Sequence, residues 1–183
     1  MNKYLALDFM GVFLCFSLAC QDKTAMAELQ RLKAQKEVEK QNEATFRRFV
    51  EETDKGNYDV WKEILAPDYQ GHFPSNAKPI SLDEHLQANK AFPAAFPDFR
   101  HTIDDFVAQG DSVVFRETMR GTHKGSFKGI APTGKTFEFT TIVMARFRDG
   151  KIAEIWMEAD FLGFFQQLGM ELRPKEASPA RWP

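Results

Sequence analysis

Asp149-Gly150, set between two alternating stretches, is the feature that most restricts what this chain can become. Residues 137–148 alternate large apolar side chains with polar ones, residues 151–158 form the returning run, and an Asp-Gly pair suits the two-residue turn that matches the twist of antiparallel strands. Two strands with one greasy face are not stable alone, so further elements must cover that face. Upstream, residues 99–108 and 112–123 repeat the pattern around Gly110-Asp111. In the second of these, Val113, Phe115 and Met119 alternate with Val114, Arg116, Thr118 and Arg120. Residues 69–73 read as a short strand. Residues 124–135, with Gly125, Gly129, Pro132 and Gly134, read as a long connection.

The covering elements come first in the sequence. Thr45, Phe46, Phe49, Val50 and Thr53 recur at spacings of three and four, which puts one apolar stripe on a helix starting at Asn42 and ended by Asp54-Lys55-Gly56-Asn57. A second, short helix over 59–65 is stopped by Ala66-Pro67. Ser81-Leu82-Asp83-Glu84 has the capping-box spacing and predicts a third helix over 82–91, broken by Phe92-Pro93. Asp160 opens a last, short helix rich in Phe and Leu. Three helices followed by a curved antiparallel sheet and a short C-terminal helix make an α+β domain over residues 42–170, with a cavity between sheet and helices. The chain carries 18 Phe, and such rings suit the wall of an apolar pocket.

Linked segments from residue 46 to 169 carry a family resemblance. They are Tyr69-Gln70-Gly71-His72, Phe96-Pro97-Asp98, Gly121-Thr122-His123-Lys124-Gly125-Ser126-Phe127-Lys128-Gly129, Pro132-Thr133-Gly134-Lys135, Asp149-Gly150-Lys151-Ile152 and Glu154-Ile155-Trp156-Met157-Glu158-Ala159-Asp160, followed by Gln167-Leu168-Gly169. In this order and spacing they resemble the SnoaL-like polyketide (ester) cyclases of the NTF2-like superfamily. The resemblance implies a cone-shaped α+β fold, frequently a homodimer, that closes rings by intramolecular aldol chemistry on a small hydrophobic substrate without metal or organic cofactor. It also makes Asp160 the acid/base residue.

Each candidate side chain has a structural alternative. Asp160 stands directly before an apolar helix, where Asp is a preferred N-cap; an apolar pocket would instead raise its pKa into the range of a useful base. His123, at a strand end, is a candidate to orient substrate or relay protons, or else to hydrogen-bond a loop. Arg116 is a candidate to pair with a carboxylate or grip a substrate carbonyl, or else half of a buried ion pair. His72 stands in a similar position at the end of its short strand. Trp156 offers a stacking surface, or a core side chain. Glu158 shares the parity of Trp156 and Asp160 provided no bulge intervenes, giving a carboxylate pair. Residues 141–145 are largely apolar where family cyclases place further polar groups, which points to a greasier pocket.

The first twenty residues have a basic start, an apolar run and Ser17-Leu18-Ala19-Cys20, the pattern of an exported bacterial lipoprotein with Cys20 lipidated and holding the chain to a membrane. Residues 21–41 are rich in Lys, Glu, Gln and Ala and read as a charged helical stalk or linker, and 171–183 as a tail. Cys15 and Cys20 are the only cysteines, so the domain itself has neither disulfide nor thiolate metal site. His72, His85, His101 and His123 show no metal-binding spacing, and neither a phosphate loop nor a nucleophile elbow is present. A net charge of −2 gives no electrostatic reason to expect nucleic acid. The sequence thus supports an enzyme of small carbonyl compounds, with an envelope-anchored ligand-binding module and a scaffold whose Phe side chains fill the cavity as the alternatives.

Overall fold

The computed structural model describes residues 4–171 and 173, with side chains from Lys23 onward. Cys20 lies on described backbone, but the lipid attachment expected there concerns a side chain outside that set, and most of the expected tail lies outside it as well. The elements are α1 (Tyr4–Asp54), a 3₁₀ turn (Tyr58–Val60), α2 (Trp61–Ile64), β1 (Leu65–His72), α3 (Leu82–Ala95), β2 (Arg100–Gln109), β3 (Ser112–Thr122), β4 (Thr136–Arg148), β5 (Lys151–Ala159) and α4 (Phe161–Gln167).

The described part of the leader, the stalk and the first domain helix are one continuous rod of 51 residues, Tyr4–Asp54. Strong helix formers keep the stalk helical, aided by side-chain pairs one turn apart such as Arg31–Glu28 and Gln35–Glu39. Among the described residues no helix is long and apolar enough to cross a membrane. The rod is pinned at the turn between β2 and β3, where Asn42 Nδ2 donates to Gly110 O at 3.1 Å and Gly110 N donates to Glu39 Oε1 at 2.9 Å.

The five strands form one open, curved sheet in the order β1-β5-β4-β3-β2. The expected hairpin is present: Arg148 pairs with Lys151, and Asp149 and Gly150 both have positive φ, 52° and 74°. Sequence reading anticipates an antiparallel sheet, and β1 departs from it by running parallel to β5 at the edge. It also starts earlier than expected and includes Pro67, which an edge strand tolerates because no ladder bond is needed on its open side. Register shifts at Asp104 in β2 and Ala153 in β5 are bulges, which bend a sheet locally.

Helix α3 begins with the predicted capping box, Ser81 N donating to Glu84 Oε2 at 2.7 Å and Glu84 N to Ser81 Oγ at 3.4 Å. It does not stop at Phe92 but runs on through Pro93. Pro93 has no N–H for the carbonyl of Asn89, one turn back. Tyr58 Oη donates to that carbonyl at 3.1 Å and fills the gap. Tyr58→Phe is therefore expected to lower stability by about 1 kcal/mol, measured by urea unfolding, with α3 still formed.

Two apolar clusters fill the space between helices and sheet. One joins Phe46, Phe49 and Trp61 to Phe115, Val143 and Ile155; the other gathers Phe96, Phe137, Phe139, Phe164 and Leu168 beside α4. On the outer face of the sheet, Val107, Val114 and Ile142 are exposed.

Candidate active site

A cavity of about 280 Å³ opens between the clusters, walled by rings from α1, α2, α3 and the sheet, among them Phe46, Phe49, Trp61, Phe92, Phe115 and Phe139. The inward parity of β2 and β3 puts two polar residues into this wall, and Thr141 of β4 stands behind one of them. Facing pairs His101↔Met119, Ile103↔Glu117 and Glu117↔Thr141 share one side of the sheet, and His101 and Glu117 both line the cavity. They are diagonal neighbours on adjacent strands, within reach of one another's side chains.

His101 is held by the last residue of α1. Its Nδ1 is 2.6 Å from Asp54 Oδ1, and its backbone N–H donates to Asp54 Oδ2 at 3.2 Å. A carboxylate can only accept, so Nδ1 carries the proton and Nε2 is left as the basic nitrogen of the neutral ring.

Glu117 is only 3% exposed. Its Oε1 accepts from Thr141 Oγ1 at 2.9 Å, and its Oε2 has no partner. Burial pushes its pKa up; His101 and the Thr141 bond oppose that rise, and Asp54 and Asp104 add to it. On the helical side, His85 Nδ1 lies 3.0 Å from Tyr69 Oη, and burial pushes His85 down to about 4, so this cavity residue is neutral near pH 7.

The residues singled out from sequence lie elsewhere. Asp160 caps α4, accepting from Gly163 N at 2.8 Å, and a Cβ at position 163 would run into its carboxylate. It lines an adjoining pocket that shares Phe92, Phe127, Lys128, Phe139 and Phe161 with the cavity, but not the cavity itself. His123 is fully buried, with Nδ1 accepting from Thr133 N at 3.4 Å and lying 3.2 Å from Thr133 Oγ1. Its ring sits 5.3 Å from that of Phe96, outside the cavity wall, and its Nε2 is without a partner.

The other four belong to the outer face. Arg116 pairs with Asp104 at 3.0 Å and Asp105 at 2.7 Å, an ion pair at the surface and not the buried one expected, because the outer face of the sheet is uncovered there. Trp156 stacks on His72, centroids 4.9 Å apart, with the Arg146 guanidinium 5.0 Å from its ring centre. Glu158 pairs with Ile142 in the ladder, and no bulge separates it from Trp156, so the two do share a face, the outer one. None of the four lines the cavity.

Asp54, His101 and Glu117 escape the sequence reading for different reasons. Asp54 and His101 are 47 residues apart, and nothing local announces their bond. Glu117 does leave a signal, since it occupies the apolar parity of Val113, Phe115 and Met119.

An open five-stranded sheet folded over helices around an apolar cavity, with acid–base side chains in its wall, is the architecture of the NTF2-like class. Within that class the chain belongs to the SnoaL-like polyketide cyclase family, whose family model matches residues 44–168. It is 27% identical over 131 residues to the aklanonic acid methyl ester cyclase DauD of Streptomyces sp. strain C5, covering 67% of this chain and 78% of that one. The aklanonic acid methyl ester cyclase AcmA of Streptomyces galilaeus is also 27% identical, over 69% of this chain and 89% of that one. Among solved structures, wild-type IdmH of Streptomyces antibioticus superposes with a TM-score of 0.65 at 34% identity, covering 70% of this chain and 99% of that one.

Proposed function

We propose that this protein is a cyclase-type enzyme that works by acid–base chemistry on a small apolar carbonyl compound, with His101 as its base. The observation that carries this reading is His101 in the wall of an aromatic cavity, held from behind by Asp54: an oriented imidazole whose second nitrogen is left as the base. His101 Nε2 would remove a proton from the carbon next to a carbonyl, and the electron pair of that C–H bond would pass to the carbonyl oxygen as an enolate. In a ring closure, the enolate carbon forms a bond to a second carbonyl carbon of the same molecule, and the proton is returned to the new alkoxide. Asp54 holds the imidazole in its reactive tautomer and stabilises the imidazolium that forms. The apolar walls exclude water, which would otherwise compete for the enolate.

The test is exchange of α-protons in heavy water, followed by NMR on a panel of aryl β-keto esters. Wild-type protein is expected to accelerate exchange on at least one of them. A protein that binds these esters and exchanges none would be a carrier, not an enzyme. Asp160→Asn keeps a good helix cap while removing the acid. It is expected to leave both the exchange rate and the melting temperature near those of wild type; a loss of exchange with unchanged melting would move the base to Asp160.

A further inference from the structure

We propose that Glu117 stands in the cavity as an uncharged carboxylic acid and donates its Oε2 proton to a carbonyl oxygen of the ligand. The ligand class that follows is a neutral ketone or ester, preferred over a hydrocarbon of the same shape and over a carboxylate. The proposal rests on the acid–base reading for the kind of ligand alone; the hydrogen bond itself is argued from Glu117.

The geometry allows two forms. As a carboxylate, Glu117 would leave a charged oxygen buried with one hydroxyl donor for the whole group, which burial strongly disfavours. As an acid, it keeps the Thr141 bond on Oε1 and turns Oε2 into a donor awaiting an acceptor. Among the described residues Glu117 has no ion-pair partner within 4 Å: Arg116, its neighbour in sequence, points to the other side of the sheet and is committed to Asp104 and Asp105.

The titratable groups around it do not change this balance. His101 faces it from β2, Asp54 from the end of α1, Asp104 acts from the β2 bulge, and His85 and Lys128 line the same cavity from α3 and the β3–β4 loop. Of these, the two carboxylates raise its pKa and only His101, when charged, lowers it. Asp54 would also repel an anionic ligand. A donor placed here strengthens its bond as negative charge grows on the substrate oxygen, which is the requirement for stabilising an enolate.

Two probes of matched shape test this, 2-acetylnaphthalene and 2-ethylnaphthalene, with binding followed by fluorescence and the ketone C=O stretch by infrared difference spectroscopy. Wild type is expected to bind the ketone at least tenfold more tightly and to shift its C=O stretch to lower frequency. Glu117→Leu should abolish both effects, and Glu117→Gln, whose amide N–H still donates, should retain part of each.

The sign with pH is fixed. Below the raised pKa of Glu117 the donor is present, and as pH rises through that pKa the proton is lost and ketone affinity falls while hydrocarbon affinity does not. Equal affinities, an unshifted C=O stretch, ketone affinity that rises with pH, or failure of both probes to bind would each overturn the proposal. If a Glu117 variant fails to fold, the infrared shift and pH series on wild type decide alone. Exchange of the acetyl protons in the same samples keeps the two readings apart: a C=O shift without exchange leaves Glu117 as donor and removes the proposed reaction, and exchange without a shift does the reverse.

Discussion

His101→Ala is expected to slow α-proton exchange of a bound β-keto ester by about 10²- to 10⁴-fold, the usual contribution of a positioned general base, with little change in affinity for the ester. The base would be gone while the aromatic walls that supply binding remain in place. Added imidazole should restore part of the rate, since the space left by the ring admits the same base from solution. Asp54→Asn is the companion variant. An Asn at this position can present its NH₂ group to Nδ1, which would put the ring proton on Nε2 and leave the reactive nitrogen without a lone pair. The expected result is a loss of rate that imidazole does not rescue. If His101→Ala exchanged protons at the wild-type rate, the base would have to be another group in the cavity wall.

The largest expected effect on stability is at Phe96. It is fully buried at the end of α3, with ring centroids 4.6 Å from Phe92, 4.9 Å from Phe127 and 5.2 Å from Phe137. Phe96→Ala removes a ring that joins α3, the β3–β4 loop and β4, and is expected to cost about 3–5 kcal/mol. For a chain of this size that is a fall in melting temperature of roughly 10 °C, read by differential scanning calorimetry. Phe96→Leu, which keeps most of the volume, should cost less than half as much. Equal losses from both substitutions would mean that the specific ring contacts, not the filled volume, carry the stability.

Most of the fold is written in short-range signals. The Asp149-Gly150 turn, the alternation of β2 to β5 and the Ser81/Glu84 box each act over a few residues, and each is found where the sequence puts it. Pro93 shows the limit: a residue that ends a helix on local grounds is tolerated because a hydroxyl 31 residues from Asn89 in sequence supplies the missing donor. β1 shows another, since an edge position lets a strand absorb Pro67 and pair in parallel with β5.

The site was less legible. Family resemblance directs attention to Asp160 and to polar residues at strand ends, whereas the cavity is set by parity and by tertiary contact. Arg116 and Glu117 are adjacent in sequence, yet successive strand residues face opposite sides, so one charge goes to partners on the outer face and the other into the interior. The bond between Asp54 and His101 has no counterpart in any local pattern.

The anchoring of α1 makes its length a gauge. Asn42 is fixed to the Gly110 turn and Asp54 to His101, on one unbroken helix. One residue inserted between them would swing the Asp54 carboxylate by about 100° around the helix axis, and one deleted would swing it as far the other way. Substitutions on the exposed side of this stretch can be absorbed, but changes in its length cannot. Among descendants of such a chain, the interval from Asn42 to Asp54 should therefore keep its count even where the charged segment before it grows or shrinks.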